Sequence, residues 1–111
     1  MTTDRELLEL AAKAAGYWIK SWWERHPGEW WVELLVARVP GDPPTVWNPL
    51  RDDGDALRLA VKLRLIVCAH AGESWAQQLD LTIKQPSGDD PYAATRRAIV
   101  RAAAEIGRAM P

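Results

Sequence analysis

The chain contains no phenylalanine, two methionines and one cysteine among 111 residues. A lone cysteine, Cys68, excludes an internal disulfide and with it the stapled scaffold of small secreted domains. Cys68 falls inside an apolar run, which reads as a small core residue rather than a reactive thiol. No apolar run approaches the ~18 residues of a membrane-spanning helix. The opening MTTDRELLEL lacks the charged-then-apolar pattern of a leader. A cytoplasmic location without membrane contact is therefore expected. An excess of charge of one sign is also missing: the formal net charge is −1 and the pI about 6.1. The overall basic footprint of a nucleic-acid binder is absent.

Recognisable chemistry is scarce as well. No P-loop, GxGxxG, GxSxG, CxxC or HExxH spacing occurs. His26, His70 and Cys68 fall short of a four-ligand zinc site. Asp52-Asp53-Gly54-Asp55 lacks the alternating oxygen ligands and closing glutamate of a calcium loop. These acids fit helix capping and dipole placement instead. The expectation is no enzyme, no cofactor, no metal and no small-molecule substrate.

What the chain has in excess is tryptophan, seven of them. At roughly 200 Å² each, they exceed what one side of one small sheet can cover. Trp22-Trp23 and Trp30-Trp31 are adjacent pairs inside segments that read as strands, 17–23 and 30–37. Neighbours on a strand point to opposite faces, so one ring of each pair should leave the core. Pairing Trp23 with Trp30 across the Pro27-Gly28 turn sets a register. It places Trp18 opposite Leu35, Lys20 opposite Glu33 and Trp22 opposite Trp31 on the outer face. Trp18, Lys20, Trp22, Trp31, Glu33 and Leu35 are thus the candidate partner-binding surface, for a homodimer or another protein.

The rest of the chain supplies helices and a second hairpin. Thr3-Asp4-Arg5-Glu6 is a capping box opening a first helix that Gly16 ends. Residues 39–50, with four prolines, read as a rigid loop pinned by Trp47. Asp52 at N-cap and Asp55 at N3 open a second helix with the stripe Ala56, Leu59, Ala60, Leu63. Residues 65–70 and 75–84 read as two strands, the second pointing Trp75, Leu79, Leu81 and Ile83 one way. His70 reads as a polar cap on the core. Asp90-Pro91 opens a third helix over about 91–108, with Tyr92, Ile99, Ala103, Ile106 and Met110 on one side. The fold class is α+β: one domain over 1–111, two-layer, a four-stranded mainly antiparallel sheet packed by three helices, order α-β-β-α-β-β-α. Arg97, Arg101 and Arg108 form a stripe on the third helix, with Glu105 within reach of Arg101. Nucleic-acid contact through that stripe, with Arg58 and Lys62 extending it, is the alternative function; a solvated helix face is the default.

Three segments carry a resemblance. Leu7-Leu8-Glu9-Leu10-Ala11-Ala12-Lys13-Ala14-Ala15-Gly16, the stretch from Trp47-Asn48-Pro49-Leu50 to Leu63, and Ala93-Ala94-Thr95-Arg96-Arg97 to Gly107 resemble small phage and prophage proteins. These are phage-related hypothetical proteins for which no activity is established. The resemblance covers about half of the chain and implies a phage or prophage origin in a host cytoplasm. It brings no catalytic residues.

Overall fold

The computed structural model describes residues 2–24 and 32–111. Trp30, Trp31, His26 and the Pro27-Gly28 turn lie outside the described residues. The described residues form α1 (Asp4–Ala15), β1 (Trp18–Glu24), β2 (Val32–Ala37), β3 (Thr45–Trp47), α2 (Asp53–Leu63), β4 (Ile66–His70), β5 (Glu73–Gln78), β6 (Leu81–Pro86) and α3 (Pro91–Ala109). The class is α+β, as expected. The single four-stranded sheet is not: the strands make two three-stranded antiparallel sheets, β1-β2-β3 and β4-β5-β6. The order is α-β-β-β-α-β-β-β-α, and each three-stranded run leads into a helix.

Two local features raise four strands to six. The proline-rich segment yields a strand after all, because Thr45-Val46-Trp47 pairs with β2 once Pro43 and Pro44 are behind it. Residues 75–84 are two strands, since Leu79 adopts a left-handed φ of 50° and the chain reverses with Gln78 opposite Leu81. Such a φ is rare outside glycine and asparagine, so nothing in the residue types marked the turn. The reversal also exchanges parity. Trp75 lies opposite Lys84, whereas Leu81 and Ile83 lie opposite Gln78 and the buried Ala76. Trp75 is thereby separated from the leucine and isoleucine expected beside it.

The first hairpin has a different register from the expected one. Trp18 pairs with Ala37, Trp22 with Leu34 and Trp23 with Glu33. The register shifts between Ile19 and Ser21, which makes Lys20 the extra residue of a bulge. The reason is the third strand. Leu34 is flanked by Trp22 on one side and by Trp47 on the other, and Leu34, Val36 and Trp47 are all buried. Burying that set selects which face of β2 turns inward, and a one-residue bulge reconciles β1 with it.

The helices follow their sequence signals closely. Thr3 accepts from the Glu6 amide and Gly16 closes α1 in the left-handed region. The reciprocal bond is a side-chain one, the Thr3 hydroxyl donating to Glu6 Oε1 at 3.2 Å. Asp52 and Asp90 cap α2 and α3. Helix α3 packs on β4, β5 and β6 with one side and on α1 and α2 with the other. This double burial explains its alanines: Ala94, Ala98, Ala102, Ala103 and Ala104 are all buried. It also corrects the expected apolar side, because Ile99 and Ala103 are inside whereas Tyr92 and Met110 are exposed. Against α1 the approach is so close that a Cβ on Gly107 would overlap the Leu10 carbonyl. One core cluster spans α1, β2, β3, α2, β5 and α3.

Candidate functional site

The junction between β3 and α2 is held by a polar network. Asp55, at N3, is buried and accepts from the Asn48 amide at 2.9 Å and from Arg58 at 2.8 Å. Asn48 Oδ1 accepts from the Leu50 amide, and the Asn48 carbonyl from Asp52 and Arg51. The hydrogen bond that Arg58 donates to Asp55 is the largest of the effects that raise the Arg58 pKa, and burial opposes it. From α3, Arg96 donates to the Leu50 carbonyl at 2.9 Å and to Asp53 at 2.6 Å. The first turn of α2 is thereby clamped onto α3.

Beyond the clamp, α2 and β4 stand apart and leave a groove of about 480 Å³. Ile99 of α3 and Ala56 of α2 line it from the buried side, Val67 and Ala69 of β4 form one flank, and Leu57 and Tyr92 are its exposed rim. The polar groups at its edge satisfy one another. Asp53 and Arg96 form their ion pair. The Thr95 hydroxyl donates to the Pro91 carbonyl at 2.8 Å, so the buried Ser74 hydroxyl 2.8 Å away must donate to Thr95. What faces outward is apolar. Such a groove fits a hydrophobic side chain or backbone edge better than a polar small molecule.

The outer face of the second sheet is polar by comparison. Trp75 donates to Glu73 at 2.8 Å, lies under Lys84 at 5.6 Å and stacks with His70 at a 16° interplanar angle. Cys68 is the cross-strand partner of Trp75 and is half-buried, and His70 is exposed. Neither is the core residue or core cap that the sequence suggests, because β4 is an edge strand and not a central one.

The observed register gives the residues of the expected tryptophan surface other cross-strand partners. Trp18 is half exposed and Lys20 exposed at the bulge. Leu35 is half-buried, opposite Ser21 and Val46 instead of Trp18. Trp22 lies across from the buried Leu34, Glu33 pairs with Trp23 instead of Lys20, and Trp31 lies outside the described residues. The arginine stripe is brought together, lining a cleft of about 390 Å³, but its members are engaged. Arg97 makes a two-pronged pair with Asp4 at 3.1 and 3.2 Å. Arg101 donates to the Lys84 carbonyl and to Gln85. Glu105 pairs with Arg108 at 3.4 Å and not with Arg101. Arg58 is held by Asp55, and Lys62 sits over the Tyr17 ring.

Sequence reasoning missed the groove. Its signals were Leu57, on α2 away from the expected stripe, and an edge strand without a charged residue. Among the described residues no group of three His, Cys, Asp or Glu is placed to hold a metal ion. No helix among them is long and apolar enough to cross a membrane. No protein-family model, curated protein or solved structure matches the chain.

Proposed function

We propose that this chain is a non-enzymatic protein-binding module that engages its partner by apolar contact through the groove between α2 and β4. The observation that supports the reading is a continuous apolar strip, Leu57, Val67 and Tyr92 around Ile99, whose polar neighbours are already paired with each other. The largest apolar patch on a protein surface is often a functional one. Aromatic residues such as Tyr92 are enriched at binding hot spots. Trp18 and Val46, both exposed on the first sheet, add a second and smaller contact area. The resemblance of the helices to phage-related proteins favours a host-cell cytoplasm as the setting.

The test is proximity labelling in the cell that encodes the protein, with wild type compared to a Leu57→Glu, Tyr92→Ala double variant. Both side chains are exposed, so the fold should survive. The module reading expects a set of labelled proteins, a separately tagged second copy of the chain counted among them, that drops several-fold in the variant. Identical sets for the two would overturn it.

A further inference from the structure

Each sheet has two edges, and three of the four carry a recognised protection against pairing with another chain. β1 is bulged at Lys20. β3 is only three residues long and follows two prolines. β6 carries Lys84 and ends at Pro86. Charge, proline, bulges and shortness are the usual guards of an exposed edge. β4 has none of them. Ile66-Val67-Cys68-Ala69-His70 contains no charged side chain, proline or glycine, and pairs with β5 without a bulge. Its free edge borders the groove, so an unpaired row of backbone donors and acceptors runs beside the apolar strip.

We infer that the occupant of this edge is a second copy of the same chain, whose β4 pairs antiparallel with this β4 about a two-fold axis at Cys68. The inference rests on the module reading above and names its partner. A two-fold contact must be self-complementary, and this one is. Centring on Cys68 sets Val67 opposite the second copy's Ala69 and Ile66 opposite its His70, with no like charges facing each other. The two sheets become one of six strands, and the free edges satisfy each other.

Apolar area is available on both faces of the β4 edge. Leu57, Val61, Ile66, Val67 and Tyr92 are 64%, 68%, 66%, 38% and 70% exposed. At roughly 150–250 Å² for a large side chain, this is on the order of 500 Å² of apolar surface per copy. Complete cover of that surface in two copies would bury about 1,000 Å², the lower limit of a specific interface, before the backbone is counted. Neither the exposed Leu57 and Val61 on α2 nor the bare β4 then needs another cover.

The lone cysteine reports on the arrangement. Opposed residues of an antiparallel pair have Cα atoms about 4.5–5.5 Å apart, inside the ~4.4–6.8 Å range of disulfides. Diamide should therefore link the two Cys68 residues, the thiols giving up two protons and two electrons as the diazene is reduced to the hydrazine. The experiment combines multi-angle light scattering of the full chain with diamide trapping, for wild type and Ala69→Lys. Ala69 is exposed, and an unchanged far-UV circular dichroism spectrum will show that the variant folds. The expected result is a wild-type dimer that traps nearly completely, with Ala69→Lys at least tenfold weaker in association and trapping. Leu57→Glu, on the exposed helix face, should weaken the dimer too. A dimer that neither traps at Cys68 nor responds to Ala69→Lys overturns the β4 pairing, while its loss in Leu57→Glu would leave the groove as a contact surface. A strict monomer at high concentration overturns the second copy as occupant, and the labelling result then decides the module reading by itself.

Discussion

The two halves of the chain repeat one topology, three antiparallel strands running into a helix capped by aspartate, yet they treat tryptophan oppositely. Trp47 of β3 is sealed in the core, its ring edge-on to Tyr17 at 5.6 Å. Trp75 of β5 stays on the outer face between Lys84 and His70, with its indole N–H on Glu73. Residue type does not separate them. Position does: Trp47 lies opposite buried Leu34, whereas the reversal at Leu79 puts Trp75 opposite Lys84. The helices differ in the same way. α2 is buried on one side and leaves Leu57 and Val61 in solvent, while α3 is covered on two sides and has alanine where it is most enclosed.

The largest expected effect attacks the comparison directly. Trp47→Ala should cost about 3–5 kcal/mol, as for an aromatic removed from a core. Trp75→Ala should cost about 1 kcal/mol, the scale of its surface ring contacts. Urea unfolding of both variants measures the gap, and equal costs would break the contrast between the sheets.

Gly107→Ala sharpens the contrast between the helices. Helix propensity alone expects a gain of about 1 kcal/mol for glycine to alanine in a helix interior. The contact of α3 with the Leu10 backbone expects a loss of about 1–3 kcal/mol from overpacking. A raised melting temperature would show that α1 and α3 are not in backbone contact at that point.

The smallest effect concerns the two turns of the second sheet. The β4–β5 turn has glycine at its left-handed residue, Gly72 at φ 90°, whereas the β5–β6 turn has Leu79 at φ 50°. Leu79 is almost fully exposed, so its side chain contributes little. Leu79→Gly should stabilise by up to about 1 kcal/mol through relief of the left-handed cost. A lower melting temperature in that variant would mean that the turn is not where the chain reverses.

The caps were legible in the residues that make them: Thr3, Gly16, Asp52, Asp90 and Pro91 act locally, within one turn of themselves. The α2 stripe of Ala56, Leu59 and Ala60 was legible for the same reason. Register was not, because Trp22 and Trp23 offer equivalent partners until β3 brings Trp47 against Leu34. The candidate site was the least legible part. Leu57 and Tyr92 belong to different helices, and Val67 to a strand whose edge position depends on sheet order. Only their convergence around Ile99 makes them a surface.

By itself the sequence determined the α+β class and the three helices with the caps that open them. Those properties arise from periodicity, capping and composition, which operate over a few neighbouring residues. The tertiary structure alone decided that there are two sheets instead of one, that Trp47 goes inside and Trp75 outside, and that β4 is left as an unguarded edge. Each of these depends on which distant segments pair. That pairing is selected by the burial of the whole core at once, and no local pattern encodes it.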